Sequence, residues 1–167
     1  YKNLALGHKR LSIIDLSEKG NQPMHYLDEL VITYNGEIYN YIELKDELKK
    51  KGYKFVSNSD TEIILASYHC WGRQCVQFFN GMWSFAIFDK KRNIIFCSRD
   101  RFGIKPFYYS CVDKKFVFGS EIKQILNFHS SNKLNKQILF DYLFMGFEEH
   151  SNETFFENVF KLNPSHN

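Results

Sequence analysis

The run Leu30-Val31-Ile32-Thr33-Tyr34 is β-branched and aromatic, and it predicts a strand. From Asn40 the period lengthens. Tyr41, Leu44 and Leu48 fall on one helical face, Glu43 stands three residues after Asn40 as in a capping box, and Gly52 supplies the stop. A second helix follows the same rules: Ser59 and Glu62 form the box, Ile64, Leu65, Tyr68 and Trp71 make an apolar stripe, and Gly72 closes it. After Asn80-Gly81 the period drops to that of strands. "MWSFAIFD" and "NIIFCSR" flank the polar "KKR" as a hairpin, "DRFGIKP" makes a turn with Gly103 and Pro106, and "FYYS" with "KFVFGS" forms another strand pair. "SEIKQIL" begins a helix capped by Ser120, and residues 135–145 are expected to be helical as well. The sum is an aromatic antiparallel sheet with helices against it, an α/β sandwich of more than two layers.

Composition changes this picture little. With 167 residues the chain has the length of one domain with a real core. Hydrophobic content of 44% and charged content of 25% are ordinary, whereas 17 Phe and 10 Tyr make the chain unusually aromatic. The net charge of +3 comes from dispersed residues, and the single run Lys49-Lys50-Lys51 ends a predicted helix, where cations complement the dipole. A solvated helix end is therefore expected, with no nucleic-acid partner. No apolar stretch approaches the roughly 18 residues of a membrane span, and the start does not resemble a signal peptide. Cys70, Cys75, Cys97 and Cys111 lack metal-ligand spacing, so no metal site is expected; buried free thiols in a reducing cytoplasm are the plainer account. Tyr1 is not an initiator Met and opens inside an apolar, strand-like pattern. The expectation is a partial chain, with some fold and chemistry upstream.

Candidate chemistry centres on "YNGEIYN", residues 34–40. Asn-Gly after an apolar run is a strong hairpin signal, because both residues accept positive φ. Equally, the Asn side chain and the Gly N–H are two donors that can converge on a single developing oxyanion.

"GHKRLSIIDLS", "NQPM", "YNGEIYNYIEL", "SDTEIILASY", "GMWSFAIFD", "RDRFGIKPFYYS" and "GSEIKQIL" occur in that order and together resemble the glutaminase domain of asparagine synthetases, which are class II glutamine amidotransferases. The resemblance runs from about Leu6 to Ile125 and continues more weakly through "ETFFENVFKLNPSHN". It implies a four-layer αββα sandwich of the N-terminal nucleophile hydrolase type with its first strand or strands upstream. On this view residues 1–167 are one partial type 2 amidotransferase domain, followed in the whole protein by a synthetase domain.

For the site, the resemblance implies that Asn35 and Gly36 form an oxyanion hole, which displaces the hairpin reading. It implies that Arg10 holds the α-carboxylate of L-glutamine, a task suited to its bidentate guanidinium, with the backbone of Leu11, Ser12, Ile13 and Ile14 lining the same pocket. Asp60 and Glu37 take the α-ammonium, while His8 is structural. The family's nucleophile is an N-terminal cysteine whose own α-amino group accepts the thiol proton; none of the four cysteines occupies such a position. No cofactor is expected in this domain, since no Gly-x-x-x-x-Gly-Lys loop is present. ATP and Mg²⁺ belong to the synthetase domain, which uses the released ammonia to amidate aspartate. A homodimer is left open. The competing function is an amidotransferase-like scaffold without a nucleophile, and "RDRFGIKP" either faces the synthetase domain or forms a salt-bridged turn.

Overall fold

The computed structural model describes residues 3–9, 14–15 and 17–167. Its first sheet has the order β1-β2-β3-β4, formed by Met24–Tyr26, Leu30–Ile38, Gly81–Asp89 and Ile94–Arg99. All its pairings are antiparallel. β2 runs straight through Asn35-Gly36, pairing with β3 from Leu30 opposite Asp89 to Ile38 opposite Gly81. "YNG" is therefore mid-strand and not a turn. The strand keeps going because β3 offers nine partners in register, a pairing too distant in sequence for a local pattern to show.

Pleating sorts the residues of these two strands. Ile32, Tyr34 and Ile38 lie on one face with Trp83, Phe85 and Ile87 of β3, and all six belong to the buried core. Helices α1 (Tyr41–Lys50) and α2 (Asp60–Trp71) complete that core with Leu44, Leu48, Ile63, Ile64 and Leu65. Thr33, Asn35 and Glu37 lie on the other face, opposite Ala86, Ser84 and Met82. This face is small and polar. It turns toward a second sheet of order β6-β5-β7, formed by Lys115–Gly119, Tyr108–Val112 and Phe160–Lys161. Phe118 and Phe107, stacked with centroids 5.5 Å apart, meet the first sheet across a cavity. On the far face of the second sheet, Ser110 is fully buried and bonds His129, just beyond α3 (Ile122–Leu126). The layers thus run helix, sheet, sheet, helix, and a short α4 (Lys136–Phe140) continues into a π-helical turn, Asp141–Met145.

Several local expectations are corrected. Asn40 precedes α1, but its side chain makes no cap: Nδ2 donates to the Phe78 carbonyl at 2.9 Å and Oδ1 accepts from Asn80 N–H at 2.9 Å. Ser59 does cap α2, accepting from Thr61 N–H at 3.2 Å, while Glu62 turns away to accept from Ser57 N–H and Oγ at 2.8 and 2.6 Å. α2 is buried continuously from Asp60 to Tyr68, because it is packed between the sheet and α1, so its burial is wider than a stripe. The cap of α3 is Glu121, which forms a capping box with Gln124, so Ser120 is displaced from that role.

"RDRFGIKP" is a turn held by hydrogen bonds to the backbone. The Asp100 carboxylate accepts from the N–H groups of Phe102, Ile104, Lys105 and Trp83 at 3.1, 2.9, 2.9 and 3.3 Å. Arg99 donates to the carbonyls of Gly103, Leu162 and Lys105 at 2.6, 2.7 and 2.8 Å. In place of a salt bridge, each charge bonds peptide groups, and these charge-assisted bonds offset the cost of taking it out of water.

Candidate active site

Between the sheets lies a cavity of about 900 Å³. Asn35, Gly36, Glu37 and Asp60 all line it, as does Ile14. Arg10, Leu11, Ser12 and Ile13 fall outside the described residues. His8 also borders the cavity.

β2 delivers the first three residues, and the ladder alternation decides which groups are available. At its two ends Lys90 N–H donates to the Glu29 carbonyl at 2.8 Å and Tyr39 N–H to the Asn80 carbonyl at 2.7 Å. Odd-numbered residues of β2 therefore exchange bonds with β3, and even-numbered N–H groups point to the opposite edge. β1 covers that edge only from Leu30 to Ile32. Beyond it, Tyr34 N–H donates to Gln22 Oε1 at 2.7 Å and Ile38 N–H to Asp60 Oδ2 at 3.0 Å. Gly36 N–H lies between these two, on the same edge. A side chain is excluded at Gly36, since a Cβ would collide with the Met82 carbonyl oxygen and come within 2.8 Å of Trp83 Cα. On the cavity face, Asn35 donates from Nδ2 to Ser120 Oγ at 3.4 Å.

Asp60 is the first residue of α2 and only 5% exposed. Its Oδ2 accepts from the Tyr34 hydroxyl at 2.8 Å as well as from Ile38 N–H. Burial pushes its carboxyl above the ordinary aspartate range, and the bonds from Ile38, Tyr34 and the helix-start N–H groups oppose that shift without cancelling it. Burial first, and Asp60 second, raise the Tyr34 hydroxyl well above the usual tyrosine value, so it stays protonated and donates. The result is a carboxylate short of compensating charge on the wall of a cavity. A cationic ligand group would supply that charge.

The four thiols lie elsewhere. None of them lines the cavity; Cys75 is buried, Cys111 exposed, and burial pushes the Cys75 and Cys97 thiols up to about 12. Thiols so shifted are poor nucleophiles. The expectation of buried free thiols fits Cys75 and fails for exposed Cys111. Among the described residues no cluster of three or more His, Cys, Asp or Glu could hold a metal ion, and no helix is long and apolar enough to cross a membrane.

Sequence reasoning missed Tyr34, Gln22 and Ser120 as parts of this site. Tyr34 sits in register with the core residues of β2, and nothing local distinguishes it from them. Gln22 and Ser120 act across 12 and 85 residues of sequence.

The chain is similar to proteins of known family. The chain is 46% identical over 187 aligned residues to a putative glutamine-hydrolysing asparagine synthetase of Methanocaldococcus jannaschii, which covers 100% of this chain and 36% of that protein. It is 47% identical over 127 residues to the glutamine-hydrolysing asparagine synthetase 3 of Bacillus subtilis, covering 74% of this chain and 20% of the relative. The chain thus spans about a fifth to a third of the length of these relatives. Among solved structures, the glutamine phosphoribosylpyrophosphate amidotransferase of B. subtilis, complexed with ADP and GMP, superimposes with a TM-score of 0.61 at 20% identity. That match covers 72% of this chain and 28% of the other, and it supports the fold. With the family model of the glutamine amidotransferase domain matching residues 1–167, the chain belongs to that family.

Proposed function

We propose that residues 1–167 are the glutaminase domain of a glutamine-hydrolysing asparagine synthetase, releasing ammonia from L-glutamine. The observation that carries this reading is the placement of Asn35 and Gly36 on a cavity wall whose edge also holds the buried Asp60 carboxylate. Glutamine enters with its α-ammonium toward Asp60 and Glu37 and its α-carboxylate toward Arg10 and the backbone of residues 11–14. A cysteine thiolate, assigned by family resemblance to the N-terminal position, attacks the side-chain amide carbon. The carbonyl π electrons move onto oxygen, and Asn35 Nδ2 and Gly36 N–H stabilise the oxyanion. The α-amino group that took the thiol proton returns it to the leaving nitrogen, so collapse of the tetrahedral species expels ammonia and leaves a thioester, which water hydrolyses to glutamate and free thiol. ATP and Mg²⁺ act in a linked synthetase domain, where the ammonia amidates aspartate.

The test is Asn35→Ala in the full-length protein. Glutaminase kcat should fall roughly a hundred- to a thousand-fold, the effect of removing one oxyanion donor, with little change in KM for glutamine because the ground-state carbonyl gains less from that donor. Synthesis from free ammonia should continue. Unchanged turnover with a lowered Tm would overturn the assignment.

A further inference from the structure

Ser120 is left over by the fold: sequence pattern makes it the cap of α3, and the structure gives that role to Glu121. Its hydroxyl instead lines the cavity and accepts from Asn35 Nδ2 at 3.4 Å, across 85 residues of sequence and from the opposite sheet. The segment that carries it is tightly set. Glu121 N–H donates to Gln124 Oε1 at 3.1 Å on one side, and on the other Gly119 pairs with Tyr108 at the end of β6. Ser120 is held from both sides by contacts that do not involve its own side chain.

We infer that Ser120 is a positioning residue for the oxyanion donor Asn35, an inference that rests on the glutaminase reading above. A primary amide has two N–H donors on one nitrogen. Spending one on Ser120 Oγ stops rotation of the carboxamide and leaves the second directed into the cavity. Without that anchor the amide rotates, and its carbonyl end spends time facing the reacting oxygen, where it repels the developing negative charge. Preorganisation of this kind acts on the transition state far more than on substrate binding. At 3.4 Å the bond is long, and bonds of this type tighten when a site closes on its substrate.

Four variants of the full-length protein test it: Ser120→Ala, Ser120→Thr, Asn35→Ala and the double variant Ser120→Ala/Asn35→Ala. Ser120→Ala should lower glutaminase kcat about three- to ten-fold, the range of one modest hydrogen bond, with KM for glutamine and Tm unchanged. Ser120→Thr keeps the hydroxyl and should recover most of the rate. In the Asn35→Ala background the Ser120 substitution should cost nothing further, because the residue acts through Asn35. An equal loss in both backgrounds, a change in KM alone, or no effect of Ser120→Ala while Asn35→Ala is slow would each overturn the positioning role and leave the oxyanion hole standing. Normal turnover by Asn35→Ala would instead remove the oxyanion hole, and the role of Ser120 with it.

Discussion

The start of α2 and the turn after β4 each bury an aspartate against backbone N–H groups, yet the two carboxyls are perturbed in opposite directions. Asp100 is completely buried, and although burial alone would raise it, four peptide N–H bonds outweigh that and hold it below the ordinary aspartate value. Asp60 is 5% exposed, and its bonds from Ile38, Tyr34 and the helix start leave burial dominant, so it stands above that value. The difference lies in how far the fold has already satisfied the charge. Asp100 is saturated by its own turn and organises it, whereas Asp60 retains an unmet demand for positive charge and sits on a cavity wall. Burial by itself says nothing about which of two carboxylates is structural. Whether burial or the surrounding donors prevail at each one does.

The largest expected effect breaks the structural half of this pair. Asp100→Ala takes the acceptor from four N–H groups, one in a buried bond and three in part-buried ones, and should lower unfolding free energy by about 3–4 kcal/mol, read by urea denaturation. A loss below about 1 kcal/mol would show that water or rearrangement meets those donors instead. Next, Asp60→Asn should weaken glutamine binding by about 1.5–3 kcal/mol, the scale of a charge-assisted bond, while stability holds or rises because a costly buried charge is gone. A variant that lost stability and kept its affinity would make Asp60 a second structural aspartate.

The pH dependence sharpens the contrast further. A carboxyl raised in the folded state costs stability while it is ionised, and that cost disappears as pH falls through its folded pKa. The stability advantage of Asp60→Asn over the unsubstituted protein should therefore be greatest at neutral pH and shrink toward about pH 4. Asp100 runs the other way: its contribution is complete above the usual aspartate pKa and is lost as pH falls through its lowered folded value. The deficit of Asp100→Asn should shrink only in that more acidic window. Urea titrations at several pH values would show both trends, and parallel curves would mean that the two sites are equivalent.

The smallest effect belongs to Tyr34→Phe. Losing one donor to Asp60 should cost roughly 0.5–1.5 kcal/mol of stability and raise the Asp60 carboxyl further. Glutamine binding should then fail at a higher pH than in the unsubstituted protein. An unaltered pH profile of KM would mean that Tyr34 does not set the state of Asp60.

Much of the architecture was legible locally. The residues of α1, α2 and the β3–β4 hairpin follow from period and stop signals, and the ordered motifs pointed to Asn35, Gly36, Glu37 and Asp60, all of which reach one cavity. The misassigned side chains share a single cause. Asn40, Glu62 and Ser120 all have the chemistry of caps, and each is drawn instead to a partner supplied by tertiary packing: Phe78 and Asn80, the Val56–Ser57 backbone, and Asn35. A polar group bonds to whichever buried partner most needs it, and that partner is not visible in a short window.

Period and turn chemistry are short-range properties, so the amino-acid sequence alone determined α1, α2 and the β3–β4 hairpin, and its motifs named the residue types at the site. The tertiary structure decided what those residues can do. Only the pairing of β2 with β3 turns Gly36 N–H to the edge past β1, and only the second sheet brings Ser120 to Asn35. Backbone donors acquire a direction when strands pair, and carboxylates acquire their perturbation when the donors around them are in place; both depend on contacts far apart along the chain.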